Sequence, residues 1–309
     1  MKRTNCYLCK SYNAELLFTF MGDDKYLAAV FDEPPKIDMN WMICRDCALI
    51  YRSPVLDHNE YERLYENYDT DVFSDQSPDE YFNKIISLPI GKSENREKIK
   101  WLKGIISNEG KSQNLNILDV GCGGGTLLHV VNEELQPKKM CGVELNKAYA
   151  NLAKRKLNAD IRNIPYKNGI FKGKFDLIIN TKVLEHIPQP LPFLEEMNKD
   201  LSHNGILFIE VPHFFDMYNF PLDDERFAIP HIYFFSENTL SALLKNAGFN
   251  VLQSRIFDGS RKRSYLQIVA KKCASNESEC TLNGPLDDVS LIINKVRNNQ
   301  INTKLKSKK

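Results

Sequence analysis

A short apolar strand that runs into a cluster of glycines and then into a helix is the feature that most constrains this chain. The strand covers 116–120 (NILDV), four glycines lie within 121–125, and a helical pattern follows over 126–135. Glycine allows the positive φ of a tight turn or the close approach of a ligand to the backbone, and the first turn of the helix has free N–H groups. The segment therefore predicts a ligand-binding turn at the end of a strand.

Apolar strands and amphipathic helices alternate through the middle of the chain. Further strands are predicted over 139–144, 175–180 and 205–211, and further helices over 146–157 and 191–201. This alternation is typical of an α/β fold with a doubly wound, Rossmann-like sheet, in which ligands bind beyond the carboxyl ends of the strands.

The chain is predicted to contain four regions. A four-cysteine module covers 1–60, a helical linker covers 61–110, the Rossmann-like domain covers 111–273, and a polar C-terminal tail covers 274–309. The basic end of that tail is expected to be solvated.

Charge and hydropathy exclude several classes of protein. The 309 residues include 41 Lys and Arg against 40 Asp and Glu, for a net charge of +1. This balance argues against a strongly electrostatic binder of nucleic acid or of anionic membranes. No stretch approaches the roughly 18–20 apolar residues of a membrane span, and the first residues lack the apolar run of a secretory signal. We therefore expect a cytoplasmic protein with no membrane partner.

The glycine turn contains an aspartate and three alternating glycines, Asp119, Gly121, Gly123 and Gly125. A dinucleotide fingerprint would instead need its third glycine at the position of Thr126. The turn resembles the first motif of class I S-adenosylmethionine (SAM)-dependent methyltransferases, Leu-Asp-x-Gly-x-Gly-x-Gly. The resemblance extends over about 115–272 and implies SAM as the cofactor, close to Asp119 and the glycines.

Five further residues are candidate cofactor contacts. Glu144 ends the second strand, and its two carboxylate oxygens can accept hydrogen bonds from both ribose hydroxyls. The segment that starts at Asp160 is similar to the family's Asp-Ala-x-x-Leu-Pro-Phe motif, which implies that Asp160 accepts from the adenine amino group and that the Ile161 backbone meets the ring. Asn180 leads into a Leu-Glu-His segment that flanks the cofactor in the family. Arg96 could reach the cofactor carboxylate or lie solvated.

Two Cys-x-x-Cys pairs lie in the N-terminal region, Cys6/Cys9 and Cys44/Cys47. Each pair can present two thiolates on a tight turn, and two such pairs complete a tetrahedral zinc site. A redox role is the alternative, but redox Cys-x-x-Cys usually occurs singly within a thioredoxin-like βαβ pattern, which is not found around these pairs. The spacing therefore predicts structural Zn²⁺.

Residues 41–54 resemble the zinc-binding N-terminal module of bacterial methyltransferases of sugar and small-molecule pathways. The deoxysugar C-methyltransferases of that group carry a further C-terminal domain. About 36 residues follow Cys273, which is too few for such a domain and argues against C-methylation.

Two histidines follow the last strands, at the edge where an acceptor would meet the cofactor. His213 comes directly after the strand over 205–211, and His231 precedes a helix that Ser236 can cap. An imidazole with an ordinary pKa near 6.5 can remove a proton at neutral pH. His231 also resembles the active-site histidine of the deoxysugar C-methyltransferases. We predict His231 first and His213 second as the catalytic base, although each could instead only steady its loop.

Six aromatic residues near these histidines could wall an acceptor pocket or simply pack in the core: Phe214, Phe215, Tyr218, Phe220, Phe227 and Tyr233.

These observations predict SAM-dependent methyl transfer to a small molecule, with a sugar or sugar nucleotide as the expected acceptor and O-methylation favoured over C- or N-methylation. Two other classes stay open. One is an RNA methyltransferase that binds RNA through the cysteine module, and the other is a non-catalytic SAM-fold scaffold. The balanced charge and the lack of a basic stretch interleaved with aromatics argue against RNA. The intact cofactor motif argues against a scaffold.

Overall fold

The computed structural model describes residues 5–22, 24, 26–27, 31–33, 38–66, 77–111, 113–259, 263–273 and 284–306. Its strands are β1 (Ala14–Phe20), β2 (Met39–Cys44), β3 (Ile50–Ser53), β4 (Asn116–Val120), β5 (Lys139–Val143), β6 (Asp160–Arg162), β7 (Phe175–Thr181), β8 (Leu201–Pro212), β9 (Tyr233–Phe234), β10 (Phe249–Asp258) and β11 (Ser264–Lys272). Its α-helices are α1 (His58–Glu66), α2 (Pro78–Ile86), α3 (Glu94–Asn108), α4 (Thr126–Leu135), α5 (Lys147–Lys156), α6 (Pro190–Asp200), α7 (Asp216–Asn219), α8 (Glu237–Asn246) and α9 (Val289–Lys306).

The larger sheet has seven strands in the order β10-β11-β8-β7-β4-β5-β6. Strands β8, β7, β4, β5 and β6 run parallel to one another, and β11 runs antiparallel between β8 and β10. This arrangement confirms the predicted doubly wound α/β fold. The crossover at β4 puts the ends of β4, β5 and β7 at one edge, which is where such sheets bind ligands.

Helices cover both faces of this sheet because its strands are apolar on both sides. Successive residues of β4 show the division: Ile117 packs in a cluster with α3, α4 and α5, and Leu118 packs in a cluster with α6 and α8. Asn146 caps α5 by accepting from the Tyr149 N–H at 3.0 Å, as the sequence predicts. Ser236 likewise caps α8, by accepting from the Thr239 N–H at 3.1 Å.

The smaller sheet has four antiparallel strands in the order β1-β2-β3-β9. Three of these strands come from the first 60 residues, whereas β9 comes from the loop that follows β8 by about twenty residues. Their buried side chains, among them Trp41 and Phe234, belong to the same apolar cluster as Leu118. The four-cysteine module therefore shares both a sheet and a core with the rest of the chain.

The region predicted as a polar C-terminal tail contains helix α9, whereas the side chains of its basic end, 304–309, lie outside the described residues. Helix α9 buries Val289, Ile292, Ile293 and Val296 in the main apolar cluster. The Asn299 side-chain amide donates to the Met217 carbonyl at 2.8 Å and to the Phe220 carbonyl at 2.7 Å. The apolar side chains recur at helical spacing, so docking this face on the fold removes them from water.

None of the helices in the described ranges is both long enough and apolar enough to cross a membrane.

Candidate functional site

The glycine turn between β4 and α4 is held by backbone hydrogen bonds to the end of β5. The N–H groups of Gly121 and Cys122 both donate to the Val143 carbonyl, at 2.8 and 3.0 Å. Gly121 has a φ of 84°, and a Cβ there would collide with the Val183 side chain. Gly123 has a φ of 53°, but an added Cβ would meet nothing within 4 Å, so the backbone at this point faces open space.

That open space is part of a cavity of about 590 Å³ at the carboxyl end of β4. The glycine turn forms one wall, α2 and α3 form a second, and the residues that follow β7 form a third. The polar and charged residues that line it include Asn95, Lys98, Asp119, Thr126, Thr181, Lys182 and Arg263, with Tyr81, Phe82, Tyr149 and Tyr265 as aromatic neighbours. The volume lies in the range of small-molecule sites.

Glu144 links the end of β5 to the glycine turn. Its Oε2 accepts from the Gly123 N–H at 2.8 Å and its Oε1 accepts from the Asn146 N–H at 2.7 Å. Burial raises the pKa of Glu144, while these backbone N–H groups act in the opposite direction. Each carboxylate oxygen keeps a further lone pair, so the side chain can still accept from a ligand's hydroxyl groups.

Two buried acceptors lie beside the turn. Asn180 donates from Nδ2 to the Val120 carbonyl at 3.0 Å. Among the described residues, the Oδ1 atoms of Asn180 and Asp119 have no hydrogen-bond partner, and both residues are at most 1% exposed. Burial raises the pKa of Asp119 to about 8, the nearby Glu144 adds to this, and Lys98 opposes it. Asp119 lines the cavity, and an unsatisfied buried oxygen at a cavity wall is consistent with a site that takes a polar ligand.

Of the predicted cofactor contacts, Asp119, Gly121 and Gly123 line this cavity, whereas Gly125, Glu144, Asp160, Ile161, Asn180 and Arg96 do not. Asp160 lies exposed at the start of β6, with an oxygen 3.3 Å from Arg162, and neither it nor the buried Ile161 lines the cavity. The Arg96 guanidinium lies 2.7 Å from Glu133 and 3.4 Å from Glu134, at the end of α4. The adenine and carboxylate contacts assigned to these residues stay predictions from the sequence.

A buried polar network that sequence reasoning missed lies behind the cavity. Lys98 Nζ is 2.7 Å from Glu210 Oε1, and both side chains are at most 4% exposed. Gln267 donates to the other oxygen of Glu210, and Lys182 Nζ lies 3.8 Å from Oε1. Two features of the sequence indicate this network. Lys98 lies on the apolar face of its helix, one turn before Leu102, and Glu210 interrupts an apolar strand.

His231 and His186 face each other next to a buried glutamate. Their ring centroids are 4.8 Å apart, and His186 Nε2 is 3.7 Å from Glu185 Oε1. His186 donates from Nδ1 to the Pro230 carbonyl at 2.8 Å, which leaves the lone pair on Nε2. His231 Nδ1 is buried and has no hydrogen-bond partner among the described residues.

Desolvation favours the neutral form of all three side chains in this cluster. Burial raises the pKa of Glu185 to about 8 and lowers the pKa of His186 to about 4. Burial and the neighbouring His186 lower the pKa of His231 well below 6.5. This corrects the ordinary pKa expected for His231 from the sequence, because an imidazole that is largely removed from water is less easily protonated.

His213 is packed away from the cluster. It is 2% exposed, its ring lies against Phe214 and Phe215, and its Nδ1 accepts from the Phe215 N–H at 3.3 Å. Burial lowers its pKa to about 4. The six aromatic residues considered as an acceptor wall do not line the 590 Å³ cavity, and Phe227 packs in the core against Phe18.

The two Cys-x-x-Cys pairs adopt the same backbone turn. The Lys10 N–H donates to the Cys6 carbonyl at 2.8 Å, and the Ala48 N–H donates to the Cys44 carbonyl at 2.9 Å. Lys10 and Ala48 both have positive φ, at 63° and 66°. Each turn thus aims two sulfur atoms at the other turn, although the pairs are separated by 34 residues of sequence.

The four sulfur atoms fit a tetrahedral metal site. Cys6 Sγ is 3.4 Å from Cys47 Sγ, Cys9 Sγ is 3.4 Å from Cys44 Sγ, and all four atoms lie within 4.8 Å of one another. Sulfurs bound about 2.3 Å from a zinc ion are about 3.8 Å apart, within this range. Asp46 joins the two turns by accepting from Ser11 and Asn13 at 2.5 and 2.6 Å.

Comparison with known sequences identifies one domain family. The family described as "Methyltransferase domain" matches residues 92–254. The ubiquinone biosynthesis O-methyltransferase of Pelagibacter ubique is 32% identical over 110 residues, which are 34% of this chain and 45% of that protein. The corresponding enzyme of Bartonella quintana is 32% identical over 108 residues, 31% of this chain and 41% of that protein. The chain spans less than half the length of these curated relatives.

Solved structures show a similar fold at low identity. A SAM-dependent methyltransferase from Clostridium acetobutylicum superposes with a TM-score of 0.49 at 15% identity, over 63% of this chain and 98% of that one. A magnesium protoporphyrin IX methyltransferase from Synechocystis with bound SAH gives 0.49 at 13% identity, over 69% of this chain and 99% of that one. At these scores the likeness assigns no activity.

Proposed function

The chain belongs to the methyltransferase-domain family, and we propose that it transfers a methyl group from SAM to an oxygen of a small molecule. The observation that carries this proposal is the cavity against the glycine turn, next to the anchored carboxylate of Glu144. A ligand there would meet bare backbone at Gly123 and the unsatisfied oxygen of Asp119.

The described residues fit a nucleoside cofactor with a charged tail. Glu144 would accept from the ribose hydroxyls, and the glycine turn leaves room for the backbone to approach the ligand. Asn95 and Lys98 of α3, which line the cavity, replace Arg96 as the residues placed to meet the cofactor carboxylate. When bound, SAM supplies an electrophilic methyl group on its sulfonium.

His231 is the proposed base for a hydroxyl acceptor. Its lowered pKa keeps the imidazole neutral at pH 7, so it can take up the acceptor's proton. Arg263 lines the cavity, and its charge also contributes to lowering the pKa of His231. His231 itself does not line the cavity, so this effect of charge is what connects the two. His213, packed between aromatic rings, is the second candidate.

The acceptor is proposed at two levels of detail. An oxygen acceptor is supported by the named relatives, which are ubiquinone biosynthesis O-methyltransferases. A sugar or sugar nucleotide rests on the resemblance of residues 41–54 to the module of sugar-pathway methyltransferases, and the named relatives lend it no support. Both kinds of acceptor therefore belong in one test.

We also propose that Cys6, Cys9, Cys44 and Cys47 hold one Zn²⁺ in a closed structural site. The support is the donor set of four sulfurs and their spacing. Four protein ligands leave no open position at the ion, so its contribution is to the folding of the module.

The decisive experiment incubates the purified protein with SAM and a panel of phenols, catechols, sugars and sugar nucleotides. Mass spectrometry then reads the gain of one methyl group, and calorimetry reads SAM binding. Methylation of a hydroxyl compound is expected. Methylation confined to RNA, with salt-dependent binding, would favour the nucleic-acid alternative. Failure to bind SAM would favour the scaffold.

A further inference from the structure

We propose that the four-cysteine module positions the loop that carries His231, and that Arg52 is the positioning residue through which it acts. This loop, residues 227–232, is called the acceptor loop below. The proposal rests on the proposed function, because it gives the acceptor loop its role beside the acceptor. It adds a task for the module beyond holding a metal ion.

The acceptor loop runs directly into a strand of the module's sheet. Strand β9 pairs antiparallel with β3, with Tyr233 opposite Tyr51 and Phe234 opposite Ile50. The Arg52 N–H extends this pairing by donating to the Ile232 carbonyl at 2.8 Å. The C-terminal end of the acceptor loop is thus fixed by backbone bonds to β3.

The Arg52 side chain fixes the rest of the loop from within. It is fully buried, its Nε donates to the His231 carbonyl at 3.0 Å, and its Nη2 donates to the Phe227 carbonyl. The guanidinium lies 4.9 Å from the Trp41 ring centre, and Trp41 Nε1 donates to the same Phe227 carbonyl at 3.3 Å. The planar fork of arginine holds two carbonyls, four residues apart, at a set separation.

A further contact comes from the N-terminal region. The Ile229 N–H donates to Asp24 Oδ2 at 2.7 Å. On the opposite side, the Ile232 N–H donates to the Glu185 carbonyl at 2.8 Å, and His186 donates to the Pro230 carbonyl. The acceptor loop is therefore clamped between the first 60 residues and the segment that follows β7.

Burial of a guanidinium is costly in free energy unless its donors are satisfied. An apolar side chain at this position could not donate to the carbonyls of Phe227 and His231. The choice of arginine at a fully buried position therefore points to orientation of the loop rather than to packing alone.

The cysteines set the position of Arg52. Strand β3 starts directly after the second Cys-x-x-Cys turn, and the Cys44 N–H donates to the Leu49 carbonyl at 2.9 Å. A metal held by the sulfurs would lock this turn and the register of β3 with β2. Loss of the metal should then loosen the acceptor loop but not the glycine turn.

The test compares Arg52→Lys with Arg45→Lys by hydrogen exchange and mass spectrometry. Lysine keeps the charge but lacks the fork, whereas Arg45 lies half exposed in the same module, paired with Glu15. Arg52→Lys should speed exchange of the 227–232 amides at least tenfold and leave 116–143 unchanged, and Arg45→Lys should change neither. Wild-type protein treated with a zinc chelator should show the same pattern as Arg52→Lys.

Kinetics supply the second readout. Arg52→Lys should lower kcat for the acceptor at least tenfold and leave the SAM Kd within twofold. Unchanged exchange of the acceptor loop, or faster exchange with an unchanged kcat, would overturn the proposal. If the wild-type protein methylated no acceptor, the proposed function would fail by itself, and the exchange data alone would decide whether the module holds the loop.

Discussion

The Glu144 carboxylate accepts a hydrogen bond from the Gly123 N–H at 2.8 Å, so the acid at the end of β5 and the glycine turn after β4 form one unit. The other oxygen of Glu144 accepts from the Asn146 N–H at the start of α5. A single side chain thus links the start of α5 to the glycine turn, whose Gly123 lines the cavity.

Substitution of Glu144 should weaken the binding of the cofactor SAM. Glu144→Ala removes two charge-assisted hydrogen bonds to a bound ribose and also frees the turn, so SAM binding should fall by about 2–4 kcal/mol. Calorimetry measures this. Asp160→Asn is the matched comparison, since Asp160 lies exposed outside the cavity and should change the affinity little. Equal losses from both variants would restore the adenine contact expected from the sequence and contradict the placement of Asp160.

The Lys98–Glu210 pair should matter far more for stability than the Arg96 ion pairs. Lys98→Ala leaves the buried carboxylate of Glu210 without its main partner, which should cost about 3–5 kcal/mol of unfolding free energy. Arg96→Ala breaks partly exposed pairs and should cost about 0–1 kcal/mol. Urea denaturation separates the two. Similar costs would mean that Glu210 finds another partner, with Lys182 the nearest one.

Zinc analysis tests the four-cysteine site. The purified protein should contain about one zinc per chain, as a closed four-thiolate site requires. Cys44→Ser should lower the zinc content and the thermal stability together, because the folding free energy of such modules comes largely from the metal. Cys273→Ser, outside the cluster, is the control. A metal-free preparation with unchanged stability would rule out structural zinc.

Replacement of His231 should affect turnover rather than cofactor binding. If His231 is the base, His231→Ala should lower kcat by about 10²–10⁴-fold, with SAM affinity nearly unchanged. The wild-type rate should be level through neutral pH and fall only well below pH 6.5, because the lowered pKa keeps the base neutral until then.

His213→Ala is the control for that experiment. His213 packs against Phe214 and Phe215, so its loss should reduce stability more than turnover. If His213→Ala were inactive and His231→Ala active, His213 would be the catalytic base and His231 would have only a structural role. If neither substitution lowered turnover, the enzyme would need no histidine base. Positioning of the substrates would then suffice, and the acceptor would be more acidic than an alcohol.

Glu185 should make stability depend on pH. Its folded pKa is raised from 4.5 to about 8 by burial, so its contribution is fully present below pH 4.5 and is lost as the pH rises through 8. Between these values the loss approaches about 1.4 kcal/mol per pH unit. Glu185→Gln removes this ionisation, so its stability relative to the wild type should rise between pH 5 and pH 8. A constant difference across urea denaturations at both pH values would contradict the raised pKa.

The Rossmann-like half of the protein could be predicted from local patterns. Strand β4 and helix α4 fall on the predicted residues, and the predicted caps at Asn146 and Ser236 are present. The glycine turn and Glu144 were found because strand ends and tight turns need particular residue types near one another in sequence. The cysteine pairs were equally visible, since each pair is contained within four residues.

Contacts between distant segments were not visible in this way. Arg96 and Lys98 lie two residues apart on one helix, and only packing against the sheet decided which one faces the cavity. Likewise, nothing local to residues 233–234 shows that they complete the sheet of the four-cysteine module.

The sequence by itself determined the fold class, the glycine turn and the four-cysteine set, because these depend on hydropathy period, backbone freedom and short spacing. The tertiary structure alone decided that Arg52 lies against the loop of His231, that Glu210 has Lys98 as its partner, and that desolvation lowers the pKa of His186 and His231. The physical reason is that burial and pairing, which set charge states and orientation, arise only when segments far apart in the chain pack together.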